Sequence, residues 1–327
     1  MRRNFFRSLA CLGAFIAAST TLPTAFAQAW PAKPVRIIVP ATPGGTSDIF
    51  ARAIATRMQV QMGVPVLVEY KPGAATNIAT DYVAKAAPDG YTVLINGITL
   101  AVNPALYPAL PFNPAKDLAP VIEIGEMTNI VTVNPGVPAR SLKELVAYMK
   151  SQPDTLNYGS TGVGSSSNLA GELFALKTGT NLTHIAYQGN AQVTTDHIGG
   201  TLQLGFVNMP VGLPFVKSGK LRALAVTGSK RSTLLPDVPT VAEALGVPDY
   251  ELTGWFGLMV PAATPAAVIE RLHAEAEKAL KDPGVRSIIA TAGGDVVGGT
   301  MAAFAAHLKS DTTRLTEVIR VANISVR

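Results

Sequence analysis

Two stretches of this 327-residue chain combine glycines with hydroxyl side chains in a spacing that suits anion binding. The first, residues 40–48, reads Pro40-Ala41-Thr42-Pro43-Gly44-Gly45-Thr46-Ser47-Asp48 and follows an apolar run. The second, residues 159–168, reads Gly159-Ser160-Thr161-Gly162-Val163-Gly164-Ser165-Ser166-Ser167-Asn168. Glycine lets the backbone turn sharply and leaves N–H groups uncovered. A helix starting there adds unpaired N–H donors and a partial positive charge, and Ser and Thr add hydroxyls that donate and accept. Ordinary capping accounts for either turn alone; two such turns in one chain point to a cleft. Candidate ligand contacts are Ala41, Thr42, Gly44, Gly45, Thr46 and Asp48 from the first turn, and Ser160, Gly162, Ser165, Ser166 and Asn168 from the second. Asp48 either favours the helix start or accepts a bond from the ligand. Asn96 and Thr99, which follow a later strand, are expected on the cleft wall, with Gln188 and Asn208 as further contacts. Tyr187 fits the core equally well.

Catalytic motifs are missing from both turns. Neither contains G-x-x-x-x-G-K-[ST] or G-x-G-x-x-G, and no G-x-S-x-G nucleophile elbow occurs. The four histidines, His184, His197, His273 and His307, show no metal-ligand spacing. His197 adjoins Asp196, but neighbours on a helix point in different directions. His273 and His307 fall in amphipathic helices and read as surface or boundary residues.

The turns need strands before them and helices after them. Residues 35–40, 66–70 and 91–95 are short apolar, β-branched runs that read as buried parallel strands. Between the first two, Phe50, Ile54 and Met58 recur every four residues, the mark of one helix face, and Gly63 and Pro65 end it. Further strands are expected over 130–134, 156–159, 183–187, 202–207, 221–226 and 252–260. Ser141 and Glu144 read as a capping box ahead of Leu142, Leu145 and Met149. Thr264-Pro265 opens a helix through Val268, Leu272 and Leu280. A last helix follows Thr300, with Met301, Phe304 and Leu308 on one side. No Gly/Ser- or Pro-rich linker separates two halves, so the chain is expected to cross between them on strands near 128–133 and 251–256, with the C-terminal helices packing back on the first half.

Residues 1–27 read as an export signal: Arg2, Arg3 and Arg7, the apolar stretch 9–18, and Ala25-Phe26-Ala27 as cleavage site. The Arg2-Arg3 pair leaves Sec and Tat routes both open. Removal takes the single cysteine, Cys11, with it and leaves 300 residues, enough for two domains. Those residues carry 24 basic against 22 acidic side chains, a net charge of +2. With no basic block, nucleic acid is not an expected partner. No later stretch reaches the roughly 18 apolar residues that would span a membrane.

Several short segments recur in a fixed order. They are Trp30-Pro31-Ala32-Lys33-Pro34-Val35-Arg36, Pro43-Gly44-Gly45 with Asp48, Ala87-Pro88-Asp89-Gly90-Tyr91-Thr92 and Asn157-Tyr158-Gly159-Ser160. Gly219-Lys220-Leu221-Arg222-Ala223-Leu224-Ala225-Val226, Leu235-Pro236-Asp237-Val238-Pro239-Thr240, Trp255-Phe256-Gly257 and Pro261-Ala262-Ala263-Thr264-Pro265 follow. Together they make the chain resemble the Bug family, the periplasmic receptors of tripartite tricarboxylate transporters. The resemblance implies an α/β, type II periplasmic-binding-protein fold, with two lobes joined by hinge strands around a ligand cleft. Lobe 1 would comprise 28–130 and 254–327, and lobe 2 would comprise 131–253. It further implies a monomeric, cofactor-free, periplasmic receptor that is not an enzyme. Such a receptor holds a small carboxylate through backbone and hydroxyl donors and delivers it to one small and one large membrane subunit.

Four positions depart from the family pattern. Ala41 stands where an aromatic is common, Asn168 for His, Gln188 for Lys and Val207 for Asp. Each change removes bulk or charge, so the expected ligand is a carboxylate with a sizeable apolar or aromatic body rather than citrate or a simple amino acid. A ligand-presenting adaptor for a membrane kinase would use the same two lobes and stays open beside the transport reading. A periplasmic hydrolase is disfavoured by the missing nucleophile elbow and metal ligands.

Overall fold

The computed structural model describes residues 30–153 and 155–326. The expected export signal, residues 1–27 with Cys11, lies outside the described residues.

The chain opens with β1 (Val35–Val39), α1 (Thr46–Met62), β2 (Val66–Tyr70), α2 (Asn77–Ala84) and β3 (Thr92–Gly97). β1 pairs in parallel with β2 on one side and β3 on the other, as the apolar runs predict. Phe50, Ile54 and Met58 are buried along one face of α1, which ends at Gly63 in the left-handed conformation. Helices α3 (Thr99–Leu106) and α4 (Pro114–Asp117) lead into β4 (Leu118–Val133), a strand of 16 residues. The sequence pattern predicts only its end, over 130–134. Pro120, Glu123, Gly125 and Glu126 make the earlier part read as loop, yet register shifts fall between Pro120 and Ile122 and between Glu123 and Gly125. Bulges of this kind accept a proline without an N–H and a glycine without a side chain.

The second half runs α5 (Leu142–Ser151), β5 (Asn157–Ser160), α6 (Ser166–Thr178), β6 (Thr183–Ala186), α7 (Asn190–Gly199), β7 (Leu204–Asn208), α8 (Met209–Lys217), β8 (Arg222–Val226) and α9 (Val241–Leu245). The chain then returns through β9 (Thr253–Pro261), α10 (Ala266–Leu280), α11 (Pro283–Thr291), β10 (Gly294–Val296) and α12 (Met301–Val321). Up to Thr128, β4 pairs antiparallel with β9, and residues 125–127 also pair with β10. From Asn129 onward the same strand pairs with β7 and β8 instead. The strand order β2-β1-β3-β9-β4 therefore continues as β7-β5-β6, with β4 shared by two sheets.

Local signals hold with two corrections. Ser141 caps α5 by accepting from the Glu144 N–H at 3.2 Å, but the Glu144 carboxylate accepts from Arg140 N–H, not from Ser141. The expected box is thus displaced by one residue. The N-cap of α10 is Pro265 rather than Thr264, because Pro265 is still extended at ψ 138°; the Thr264 hydroxyl is buried without a partner. Thr300 caps α12 through the Ala303 N–H, as its position predicts.

One apolar cluster fills the space between the first sheet and α1, α10 and α11, with Ile37, Val39, Phe50, Ile95, Ile122, Leu258, Leu272 and Ile289 at its centre. A second cluster extends from Leu94 and Trp255 into Val131, Tyr158, Leu169 and Phe206, so apolar packing continues along β4 and β9 into the second half. Helix α12 fastens both strands. Trp255 on β9 donates its indole N–H to Asp311 at 2.7 Å and meets Phe304 edge to face, ring centroids 5.6 Å apart. His307 Nδ1 lies 2.8 Å from Glu123 Oε2 on β4.

The Glu123 carboxylate raises the His307 imidazole above its ordinary value of 6.5, against the opposing effect of burial and with help from Asp311 and Glu126. A raised histidine stabilises fully below 6.5, and that stability is lost as pH rises through the raised value. His307→Ala leaves Glu123 buried without its cation. The imidazole is 35% exposed and so partly screened, and the expected loss in mildly acid buffer is about 1–3 kcal/mol. Urea unfolding across a pH series checks this: the wild type should lose stability toward alkaline pH relative to the variant. Parallel pH profiles would remove His307 from the account.

Candidate functional site

Both glycine-rich turns are built by one device. In the first, Gly44 adopts φ 86° and donates its N–H to Asp48 Oδ2 at 2.8 Å. In the second, Gly164 adopts φ 82° and donates its N–H to Asn168 Oδ1 at 3.0 Å. Each acceptor sits four residues after its glycine, in the first turn of the helix, and each is braced by a tyrosine. Tyr70 donates to Asp48 Oδ1 at 2.7 Å, and Asn168 Nδ2 donates to the Tyr158 hydroxyl at 3.0 Å. Burial would raise the Asp48 carboxyl, but the Gly44 N–H, Tyr70 and Arg52 together hold it below its ordinary value.

Both Asp48 oxygens take part in structural bonds, Oδ2 with the Gly44 N–H and Oδ1 with Arg52 and Tyr70. Asn168 is likewise spent, and at 1% exposure it does not reach the cleft. Ser160 also turns inward. Its hydroxyl accepts from the Gly162 N–H at 3.0 Å and lies 2.6 Å from His184 Nε2, an imidazole that burial lowers to about 4 and so keeps neutral. Gly44, Asp48, Ser160 and Asn168 therefore shape the turns from behind and do not line the cavity.

The cavity lies between the halves and has a volume of about 580 Å³. Of the residues expected there, Ala41, Thr42, Gly45, Thr46, Asn96, Thr99, Gly162, Ser165, Ser166, Gln188 and Asn208 line it, and so does Tyr187. Several are already bonded. Asn96 donates to Thr80 and Thr76 and accepts from Thr99. Ser165 caps α6 by accepting from the Asn168 N–H. Ser166 accepts from Asn208, which also donates to Asn129 on β4. Thr46 differs: it lines this cavity, and its hydroxyl is buried and has no partner.

Sequence reasoning missed the wall formed by residues 72–76. Ala74, Ala75 and Thr76 take φ of 46°, 49° and 74° after Gly73, a left-handed turn that ordinarily costs a non-glycine residue about 1–2 kcal/mol. Asn103 holds it by donating to Ala75 O at 2.8 Å, and Thr76 is bonded to Thr99 at 3.0 Å. Such strain persists where neighbours over-determine the backbone. Alanine and threonine carry no signature of that conformation, so no pattern revealed it. Tyr107, Thr161, Asn190 and Phe256 also line the cavity without having been singled out.

The electrostatics come from the backbone. No Asp, Glu, Lys, Arg or His lines the cavity among the described residues. Instead the N-termini of α1, α6, α7 and α8 meet it at Gly45, Ser165, Gly189 and Asn208, each adding partial positive charge and uncovered N–H groups. Ala41, Ile98, Val163 and Phe256 add apolar surface to the wall. The halves touch across the opening: a Cβ on Gly189 would stand 2.6 Å from Thr42 Oγ1, and one on Gly164 would stand 2.7 Å from Leu106 Cδ1.

The imidazoles are engaged elsewhere. His197 is buried between Thr132 Oγ1 and Leu202 O, each at 2.9 Å, while Asp196 accepts from Tyr187. The adjacent pair is therefore two separate structural contacts. No group of three or more His, Cys, Asp or Glu among the described residues is placed to hold a metal ion. Val207 packs beside Gly212 and, like Asn168, lies outside the lining, so of the four departures only Ala41 and Gln188 line the cavity.

Residues 50–324 match the family described as "Tripartite tricarboxylate transporter family receptor". Protein BugT of Bordetella pertussis is 36% identical over 319 residues, covering 97% of this chain and 98% of that protein. Among solved structures, an R. palustris protein with adipate is 34% identical with a TM-score of 0.87, covering 90% of this chain and 99% of its own. The periplasmic binding protein BugD is 30% identical with a TM-score of 0.86, covering 91% and 100%.

The division between scaffold and free side chains is measurable. Asn168→Ala strips a partner from the Gly164 N–H and from the buried Tyr158 hydroxyl, and should cost about 1–3 kcal/mol of unfolding free energy. Gln188→Ala removes an exposed cavity side chain and should stay within about 0.5 kcal/mol. Chemical denaturation of both ligand-free variants gives the comparison; equal losses would contradict it.

Proposed function

We propose, from the premise that this chain belongs to the tripartite tricarboxylate transporter receptor family, the Bug receptors, that it captures a small carboxylate in the cleft and hands it to a two-subunit membrane importer. The observation that carries this reading is the buried, unpartnered Thr46 hydroxyl at the start of α1, on the wall of a cavity that no Asp, Glu, Lys, Arg or His lines among the described residues and where α6, α7 and α8 also begin. A carboxylate seated there accepts from Thr46, from uncovered N–H groups of the turns and from the N-terminus of α6 across the cleft. Charge-assisted bonds of this kind are the stronger class. Binding rather than turnover follows from the same residues. His184 and His197 are both engaged in structural bonds, and no nucleophile and base face the cavity as a pair.

The ligand's body points to bulk. Ala41 and Gln188 leave room and remove charge, while Ile98, Tyr107, Val163 and Phe256 offer apolar surface. A cavity of about 580 Å³ exceeds what a compact citrate or amino acid needs. The R. palustris relative was solved with adipate, a carboxylate with an extended apolar body. We place the receptor in the periplasm as a monomer, exported through the signal expected over residues 1–27, and acting with one small and one large membrane subunit.

A thermal-shift panel of adipate, benzoate, phenylacetate, 4-phenylbutyrate, citrate, aspartate and glutamate tests the reading. Ligand at about 100 times its dissociation constant adds about 2.7 kcal/mol. Aromatic and long-chain carboxylates should shift the midpoint most. Thr46→Val should weaken the best of them about tenfold, the value of one lost charge-assisted bond, and leave the ligand-free midpoint in place. A panel led by citrate, aspartate or glutamate would overturn the apolar-body reading. Consumption of the ligand by purified protein would overturn the receptor reading.

A further inference from the structure

We infer that the tail after α12 is part of ligand recognition, with Val326 forming a cavity wall that selects the bulk of the ligand's apolar body. This rests on the carboxylate-receptor reading. The tail is aimed by its anchor. After Val321, Asn323 takes φ 52° and reverses the chain, and the Ile324 N–H returns to Ile319 O at 3.0 Å. A left-handed residue just past a helix end is a common way to redirect a chain, and asparagine accepts that conformation better than most. The Ile324 side chain packs against the cluster that continues into the second half, so residues beyond it depart from a fixed point.

Two positions further on, Val326 lines the ligand cavity. It is 40% exposed, an apolar side chain left uncovered inside a concave site. A lone exposed valine on a convex surface needs no account. One in a cavity does, because a ligand that fills the site removes it from water. Helix α12 packs on α3, and Tyr107, the residue that follows α3, lines the same cavity. The element bearing the tail is thus braced on an element bearing another wall. The turns supply the charge recognition, and Val326 adjusts which body is accepted.

The probes are benzoate, phenylacetate, 4-phenylbutyrate and adipate, measured by calorimetry on the full chain, on Val326→Gly and on Val326→Trp. Both substitutions keep Arg327. Val326→Gly should weaken the tightest aromatic carboxylate about threefold to tenfold, the effect of losing part of one buried valine. Val326→Trp should narrow the cavity and reverse the ranking, penalising 4-phenylbutyrate more than benzoate. The ligand-free unfolding midpoints should coincide, which separates a selecting wall from a structural prop. Binding by the wild type with the same ranking and affinities in both variants overturns the tail's role and leaves the receptor intact. A uniform loss with lowered ligand-free midpoints overturns it too. No binding of any probe by the wild type overturns the carboxylate reading and the inference with it.

Discussion

The hydrogen-bond ladder of β4 is the constraint on which the rest depends. A single strand of 16 residues serves one sheet as far as Thr128 and another from Asn129. Because neighbouring strands must pair in register, the position of each turn is fixed relative to this shared strand. β1 and its turn are reached through β3 and β9, and β5 and its turn through β7. The cavity exists where the two sets of strand ends face one another. Ligand sites commonly lie beyond the carboxyl ends of strands in α/β sheets, and here two sheets contribute such an edge. Helix α12 keeps the shared strand and β9 together through Glu123 and Trp255.

The turns themselves separate rigidity from recognition. Gly44 with Asp48 and Gly164 with Asn168 repeat one geometry in the two halves, with a carboxylate in one place and a carboxamide in the other. Both side chains present an oxygen to a glycine N–H, which is all the geometry needs. Holding the turn this way keeps the helix N-termini aimed at the cavity before any ligand arrives, and pre-organised donors lose little freedom on binding. The strained backbone of residues 74–76 belongs to the same rigid frame.

Much of this was legible in the sequence, and the limits have physical causes. Buried parallel strands announce themselves because both faces are covered, so β1 and β3 stood out as apolar runs; β2, expected to be buried as well, is an edge strand with Leu67 exposed. β4 did not, because its register shifts fall at a proline, a glutamate and a glycine, residues uncommon inside strands. The turns were legible as glycine and hydroxyl clusters, and their cavity-facing members Thr42, Thr46 and Ser166 were among the residues picked. Asp48, Ser160 and Asn168 were picked for the same polarity but spend it on the backbone, a distinction only geometry makes. Tyr107, Asn190 and the wall at 72–76 reach the cavity through tertiary folding that no local pattern encodes.

The absence of carboxylates, amines and imidazoles from the cavity lining has a consequence for how the site responds to acidity. Among the described residues that line it, Tyr107 and Tyr187 are the ones that can ionise, and burial raises both. Across the range in which a carboxylic acid loses its proton, the protein side of the complex keeps one charge state. A change of pH acts on the frame, through the raised His307 behind the crossing strands.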